Sequence, residues 1–292
     1  MTSGVIVKGV GGLYYARGED GAVSVLRAKG RFRREGVTPL VGDRIHYTPG
    51  QGEEHGWVEE ILPRESELIR PPVANIRYVM IVVAPVPQPD LLLVDTLLAT
   101  ACAQGVRPVL IVNKCDLSQT LYQEMAEDYA GLQAPILATS ATTGEGLDEL
   151  RALLARGVCC FAGQSGVGKS TLLSAATGLT LRSGAISERS ERGRHTTRHT
   201  ELLIREPYRV LDTPGFSLLE LWDGLEPVRL KDYYPEFAPY EGQCRFAPCY
   251  HFREPGCAAL AAVKAGELSV GRVERYHALL QKAQKAWRES YE

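Results

Sequence analysis

Residues 163–170, GQSGVGKS, follow the apolar run VCCFA and lead into TLLSAATG, a stretch of helical composition. A loop of this spacing between a strand and a helix is typical of phosphate binding. Its glycines let backbone N–H groups face a phosphate, while Lys169 reaches the β- and γ-phosphates and the Ser170 hydroxyl ligates Mg²⁺. The predicted phosphate contacts are Gly163, Gln164, Ser165, Gly166, Val167, Gly168, Lys169, Ser170 and Thr171.

A second motif, NKCD at residues 113–116, closes the apolar run PVLIV. The Asp116 carboxylate can accept hydrogen bonds from the N1 and N2 donors of guanine, a pattern that adenine does not offer. Ser140 and Ala141 end another apolar run, where a backbone N–H can meet the guanine O6. The alternative to guanine binding is that these two motifs are ordinary polar loops at strand ends. Together with the phosphate loop, the motifs favour a guanine site that includes Asn113, Lys114, Asp116, Ser140 and Ala141.

A third motif, DTPG at residues 212–215, follows the apolar YRVL. Asp212 can hold the Mg²⁺ shell through water and the Gly215 N–H can bind the γ-phosphate, so this loop is predicted to sense hydrolysis. Between the two phosphate-binding motifs lies SERSERGRHTTRHT, where Thr196 or Thr197 would supply a hydroxyl to Mg²⁺. The sequence does not decide between the two threonines.

The residue that follows DTPG is Phe216, where many GTPases carry a glutamine that orients the attacking water. We hypothesise that His195, beside the two threonines, can swing toward the γ-phosphate and take this role. An equally supported alternative to catalysis is that the imidazole only binds phosphate or solvent. The predicted catalytic set is Lys169, His195, Thr196, Thr197 and Asp212.

Cys244, Cys249, His251 and Cys257 are separated by four, one and five residues. Three thiolates and one imidazole fill a tetrahedral zinc shell with no open position, so the spacing predicts a structural zinc site. It differs from the paired CxxC finger, and the alternative is a group of buried free cysteines with a surface histidine. The other four cysteines lie in apolar runs and are expected in the core, without a disulfide framework.

These motifs require a scaffold, and from Asn75 to Phe216 apolar runs of strand length alternate with helical stretches. That alternation predicts a parallel sheet covered by helices. The motifs occur in a rotated order, because the guanine pair precedes the phosphate loop. A parallel α/β sheet tolerates such a circular permutation, since each strand keeps its place when old termini are joined and new ones open in a loop.

Residues 1–66 show short β segments separated by glycine-rich turns, which predicts a small barrel of the oligonucleotide-binding (OB) type. A small barrel of another kind is equally compatible. The basic stretch LRAKGRFRREG could bind the phosphate backbone of a nucleic acid. The alternative is an edge strand that its charges keep solvated. The stretch contains Arg27, Lys29, Arg31, Arg33 and Arg34. Residues 223–292 carry the cysteine cluster and a helical tail, GRVERYHALLQKAQKAWRESYE.

Composition sets broad limits on function. A net charge of −2 means that any contact with nucleic acid depends on local basic patches. The first residues lack a charged leader followed by a long apolar stretch, and no run of eighteen apolar residues occurs, so we expect a cytoplasmic protein without a membrane partner. No long heptad run indicates a coiled-coil dimer, and a monomer is expected.

Taken together, the motifs resemble the RsgA/YjeQ family of circularly permuted GTPases that depend on the small ribosomal subunit. The resemblance covers essentially the whole chain, through PLVGD, NKCD, GQSGVGKST, GRHTT, DTPGF and CRFAPCYHFREPGC. It implies an OB-type barrel at 1–66, a permuted GTPase domain at 67–222 and a zinc-binding domain with C-terminal helices at 223–292. It also implies GTP/GDP, Mg²⁺ and Zn²⁺ as cofactors.

The same resemblance implies a GTP hydrolase that binds the small (30S) subunit and its 16S-type rRNA late in assembly, with hydrolysis stimulated there and no role on DNA. One alternative is a binding module for RNA or protein in which nucleotide serves only stability. A third possibility is a GTPase that acts in transport or metal delivery. Such a protein would need membrane segments or a protein client.

Overall fold

The computed structural model describes residues 1–52, 54–68, 71–181, 200–212 and 225–290. The chain forms two compact units, each assembled from three segments. The first unit contains Met1–Val79, Asp148–Phe161 and Ser170–Phe216. The second unit contains Met80–Leu147, Ala162–Lys169 and Ser217–Glu292. None of the helices in the described ranges is both long and apolar enough to cross a bilayer.

The N-terminal strands close into a five-stranded barrel, as predicted. The strands are β1 (Thr2–Val10), β2 (Leu13–Gly18), β3 (Val23–Ala28), β4 (Arg44–Thr48) and β5 (Gly56–Ile61). They pair in the order β1-β2-β3-β5-β4, and β4 returns to pair with β1. Their alternating pattern places Ile6, Ala16, Leu26, Ile45 and Val58 in the core without exposed surface.

A short helix, α1 (Gly30–Arg34), lies between β3 and β4. The sequence did not predict it, because five residues are too few to show a helical period. Its Phe32 side chain is buried, whereas Arg31, Arg33 and Arg34 are exposed. Part of the basic stretch therefore lies on a helix instead of the edge strand offered as the alternative.

The PLVGD motif ties the barrel to the hairpin that follows it. That hairpin consists of β6 (Glu67–Leu68) and β7 (Val73–Ala74). The buried Asp43 carboxylate accepts hydrogen bonds from the Leu40 N–H at 2.7 Å and the Arg64 Nε at 2.8 Å. Gly42 has φ +93, and a Cβ there would lie 2.1 Å from the Ala74 carbonyl oxygen. Only glycine permits this approach.

The alternating part of the chain forms the predicted strands and helices. The strands are β8 (Ile76–Val83), β9 (Arg107–Val112), β10 (Ile136–Ala138), β11 (Val158–Ala162), β12 (Glu201–Arg205) and β13 (Tyr208–Asp212). The helices are α2 (Leu91–Ala103), α3 (Thr120–Asp128), α4 (Leu147–Leu154) and α5 (Lys169–Thr177). A 3-10 turn, Ala130–Leu132, follows α3.

Parallel pairing holds for β9 with β10 and for β11 with β13. The prediction of a parallel sheet is wrong for β12, which pairs antiparallel with β13. Only residues 206 and 207 separate these strands, and a parallel return needs a crossover of a dozen or more residues. β12 also pairs antiparallel with β1 of the barrel, where Lys8 lies opposite Glu201.

The C-terminal part of the second unit has an aromatic core. Its helices are the 3-10 helices Pro227–Tyr233 and Pro235–Tyr240, α6 (Ala258–Ala265) and α7 (Val270–Glu289). The helix predicted for the tail is confirmed by α7, which the Ser269 hydroxyl caps by accepting from the Arg272 N–H at 3.2 Å. Tyr234 and Phe237 meet the Tyr276 ring edge-on, at centroid distances of 4.9 and 4.8 Å.

A buried ionic network joins α2 to α7 within the second unit. Asp95, which has no exposed surface, lies 2.6 Å from Arg272 Nη1 and 2.8 Å from Arg275 Nε. The Tyr129 hydroxyl donates to the same carboxylate at 2.5 Å. The Arg272 guanidinium also lies over the Tyr234 ring, 4.2 Å from its centroid. Arg272 also pairs with Glu236 at 2.6 Å and the half-buried Arg275 with Asp128 at 2.5 Å, so Asp95 is the carboxylate that the two cations share.

We expect Asp95→Asn to loosen the contact between α2 and α7, because it removes the buried carboxylate that Arg272 and Arg275 share. Breaking one side of a buried ion pair costs about 3 to 5 kcal/mol. Amide hydrogen exchange of α2 and α7 should therefore accelerate by roughly two to four orders of magnitude. Asp148→Asn is the matched control, since Asp148 pairs with Arg151 on the surface with a 96% exposed side chain. Equal exchange rates in the two variants would contradict the prediction.

Candidate nucleotide and metal sites

The predicted phosphate loop lies between β11 and α5, in the strand-to-helix setting that the sequence indicated. Gly163 has φ +124, and a Cβ there would lie 2.2 Å from the Val82 carbonyl oxygen. Gly168 has φ +90, and a Cβ there would lie 2.6 Å from Asn113 Nδ2. Both glycines are therefore required by backbone conformation and by close neighbours.

Lys169 points back into its own loop. Its Nζ donates to the carbonyl oxygens of Gly163 and Gln164, each at 2.7 Å. Burial lowers the pKa of Lys169. The ammonium group is thus held at the centre of the loop by neutral acceptors, where a phosphate would offer it a full opposite charge. Ser170 lies in the first turn of α5 and is half-buried, while Ser165, Gly166 and Thr171 are exposed.

The NKCD motif contacts the phosphate loop directly. Asn113 Nδ2 donates to the Val167 carbonyl oxygen at 2.9 Å, and Lys114 Nζ donates to that of Gly166 at 2.8 Å. Lys114 adopts φ +59, and the same Nζ also reaches the Val86 carbonyl at 2.7 Å. The predicted proximity of these two motifs, despite their rotated order in the chain, is confirmed.

The Ser140 loop lies beside the NKCD motif. The Cys115 N–H donates to the Thr139 carbonyl at 3.1 Å, and the Thr139 hydroxyl donates to Asn113 Oδ1 at 3.3 Å. The Ser140 hydroxyl accepts from the Thr143 N–H at 3.1 Å, which closes a tight turn. Asp116 is exposed beside it, so its carboxylate is open to a ligand.

Asp212 is buried at the end of β13 in the first unit. β13 lies parallel to β11, with Leu211 opposite Cys160, and β11 leads into the phosphate loop. Four of the predicted site residues, His195, Thr196, Thr197 and Gly215, lie outside the described residues.

The cysteine cluster is assembled as the spacing indicated. The ligand atoms of Cys244, Cys249, His251 and Cys257 all lie within 4.8 Å of one another. His251 is 1% exposed, so the alternative with a surface histidine does not hold. Burial raises the pKa of the Cys249 and Cys257 thiols, as expected for sulfur atoms that ionise only beside a cation. This donor set fits zinc.

His251 uses its two ring nitrogens differently. Nδ1 faces the thiols, 3.3 Å from Cys257 Sγ and 3.6 Å from Cys244 Sγ. Nε2 lies 3.0 Å from Glu241 Oε1, and Lys231 Nζ holds the other oxygen of that carboxylate at 2.7 Å. A carboxylate behind a metal-ligating imidazole fixes its tautomer and orientation. Sequence reasoning missed Glu241, because this contact depends on how the 3-10 helices fold back.

The comparisons with known proteins agree with this geometry. The family model described as "RsgA GTPase" matches residues 61–222, and "RsgA N-terminal domain" matches residues 3–58. A Moorella thermoacetica protein named "Small ribosomal subunit biogenesis GTPase RsgA" is 45% identical over 94% of both chains. A protein of the same name from Geobacillus thermodenitrificans is 42% identical over 94% of this chain and 95% of its own.

Two crystal structures extend the likeness to the fold. YjeQ from Thermotoga maritima is 34% identical and superposes with a TM-score of 0.83 over 97% of this chain and 98% of its own. YloQ, described as a circularly permuted GTPase, is 32% identical with a TM-score of 0.78 over 98% and 96%. The rotated motif order, the closed barrel and the cysteine cluster thus have one common explanation, which is that this chain belongs to the RsgA family of circularly permuted GTPases.

Proposed function

We propose that this GTPase binds the small (30S) ribosomal subunit, contacts its 16S-type rRNA and assists its late maturation, with the nucleotide state coupled to RNA binding. Nucleotide binding is supported by the hydrogen bonds that Asn113 and Lys114 of the NKCD motif donate to the phosphate loop. The names of the relatives, which match nearly the full length of the chain, support the ribosomal part. We further propose that it acts as a cytoplasmic monomer with no role on DNA.

In this proposal the guanine lies against Asp116 and the Ser140–Ala141 turn. The carboxylate accepts from N1 and N2 of the base, and the turn offers a backbone N–H to O6. Asn113 and Lys114 keep this pocket in register with the phosphate loop. The backbone N–H groups of residues 163–171 hold the phosphates, and Lys169 exchanges its two carbonyl acceptors for phosphate oxygens.

Ser170, Asp212 and one of Thr196 and Thr197 would hold Mg²⁺, whose chemistry is to offset charge on the phosphate oxygens. The Gly215 N–H would contact the γ-phosphate, and His195 would orient the attacking water. Because His195 would act only when the subunit is bound, the free protein should turn over slowly, on the order of 10⁻⁴ per second as in unstimulated Ras-like enzymes. Contact with the subunit would then bring His195 toward the γ-phosphate.

We propose that the barrel, the GTPase domain and the zinc domain extend over residues 1–66, 67–222 and 223–292. In the last of these, Cys244, Cys249, His251 and Cys257 would ligate zinc, with Nδ1 as the imidazole ligand. A closed set of four protein ligands gives zinc a structural role.

The Glu241 contact yields a prediction about this metal. We expect Glu241→Gln to weaken zinc retention about 10- to 100-fold, because an amide cannot supply the charge that orients and polarises the His251 ring. The measurement is zinc release to a chromogenic chelator of known affinity. Glu267→Gln is the control, since Glu267 accepts from the Tyr240 hydroxyl at 3.1 Å and does not contact the cluster. Unchanged retention in Glu241→Gln would remove Glu241 from the zinc site.

The proposed function is tested by GTP turnover with and without purified small and large ribosomal subunits. We expect stimulation by small subunits alone, and co-sedimentation that differs between GDP and a non-hydrolysable GTP analogue across a salt series. Tight GTP binding without stimulated turnover would favour the binding module instead. If His195→Ala retained full stimulation and normal subunit binding, the role of His195 would be withdrawn.

A further inference from the structure

The barrel carries an open groove that the nucleotide and zinc sites do not use. This barrel groove, of about 710 Å³, lies between the β1–β2 turn, the end of β3 with α1, and the start of β5. Its rim at Gly11 and Gly12 is bare, because a Cβ at either position would meet no atom within 4 Å. A flexible chain can therefore approach the backbone closely on this side.

A cation and an aromatic ring lie side by side on one wall of the groove. Leu13 of β2 pairs with Arg27 of β3, and Arg27 in turn pairs with Trp57 of β5. The adjacent residues Leu26 and Val58 point into the barrel core, so Arg27 and Trp57 lie on the outer face. Trp57 is 45% exposed, which is unusual for so large an apolar side chain and leaves its indole accessible to a ligand.

The charges that line the barrel groove have one sign. Arg27, Lys29 and Arg33 line it, and no aspartate or glutamate does. Lys29 is already paired with Glu59 at its edge. Within the part of the chain that the structure describes, neither Arg27 nor Arg33 has an ion-pair partner, so both remain available to an anion. Because the net charge of the chain is −2, this cluster is a local feature.

We propose that the barrel groove binds an unpaired nucleotide of RNA, with the base stacked on Trp57 and the adjoining phosphates paired with Arg27 and Arg33. This inference rests on the proposed RNA-binding function and specifies the form of RNA that is recognised. Stacking on an exposed aromatic ring requires a base that has left its helix, because bases within an A-form duplex stay stacked on each other. The volume of the groove suits a ligand of nucleoside size.

The test uses the full-length protein and a short single-stranded oligoribonucleotide, beside a duplex of equal length, with affinities measured by fluorescence anisotropy. We expect Trp57→Ala to weaken single-strand binding between about 5- and 150-fold, as for other stacked bases. The duplex should change by less than about twofold. Trp57→Phe retains a ring and should recover most of the affinity. Arg27→Ala should weaken both ligands and reduce the salt slope by about one.

A second measurement reports on the ring itself. In the variant Trp222→Phe/Trp287→Phe, Trp57 is the sole tryptophan of the chain, and single-stranded RNA should quench its fluorescence. An oligomer that lacks bases along its backbone should not quench it. Equal losses for single strand and duplex in Trp57→Ala, or normal single-strand affinity, would overturn the stacking inference.

The two proposals fail separately. Small subunits could fail to stimulate wild-type GTP turnover while binding of single-stranded RNA still required Trp57. That result would contradict the proposed function and support the groove assignment. If stimulation occurred and Trp57→Ala weakened subunit binding without affecting any oligoribonucleotide, the groove would bind protein and the RNA assignment would be wrong.

Discussion

Asp116→Asn is expected to lower GTP affinity by roughly two to four orders of magnitude and to transfer the preference to xanthosine triphosphate. The carboxylate is proposed to accept two hydrogen bonds from guanine, and a bond to a charged group contributes about 1.5 to 3 kcal/mol. An amide offers one acceptor and one donor, which matches N1–H and the O2 carbonyl of xanthine. Equilibrium binding of fluorescent GTP, ATP and xanthosine triphosphate analogues measures the change.

Asp148→Asn makes the same chemical change on an exposed side chain and should leave all three affinities unchanged. Asn113 and Lys114 are untouched in Asp116→Asn, so the phosphate loop keeps its contacts. If Asp116→Asn still preferred GTP over xanthosine triphosphate, the guanine site would have to lie elsewhere.

Cys257→Ser is expected to abolish zinc binding and unfold the segment around the cluster. Structural zinc contributes apparent free energies of about 10 to 16 kcal/mol in small zinc-binding folds. Residues 241–257 contain no helix or strand and are held by the cluster and a few hydrogen bonds, such as Arg245 N–H to the Gly256 carbonyl at 3.0 Å. Zinc content by elemental analysis should fall from one equivalent to none, and hydrogen exchange should accelerate in this segment and in α6.

Cys102→Ser is the control, because Cys102 is a half-buried thiol on α2 outside the cluster. Loss of exchange protection should be smaller in α7, whose Tyr276 also packs against Tyr234 and Phe237, outside residues 241–257. Retention of one zinc by Cys257→Ser, or an unchanged exchange pattern after zinc loss, would show that the cluster does not hold this segment.

The parts of the fold that the sequence predicts well are those with a local signal. The phosphate loop has glycines at Gly163 and Gly168 because neighbouring atoms leave no room for a side chain, and such constraints are visible as a fixed spacing. The barrel strands β4 and β5 show period-two burial, and α7 shows helical spacing. Asn113 and Lys114 were identified by type, although their bonds to the phosphate loop required the fold.

The parts that could not be predicted depend on contacts between distant residues. Asp95 is the one charged residue of α2 and meets Arg272 and Arg275 about 180 positions later, which no local pattern indicates. Trp57 is exposed because it lies on the outer face of β5, although its residue type favours burial. Glu241 precedes the cluster by only a few residues, but its role depends on the orientation of the His251 ring.

The strand β1 belongs to the barrel and also borders β12. Lys8 lies opposite Glu201, and Glu201 lies opposite Asp212, so three residues form one row across three adjacent strands. With about 4.8 Å between strands, Lys8 is only about 10 Å from Asp212 in backbone terms. A displacement of β1 could therefore be passed to the predicted magnesium residue through two steps of strand pairing.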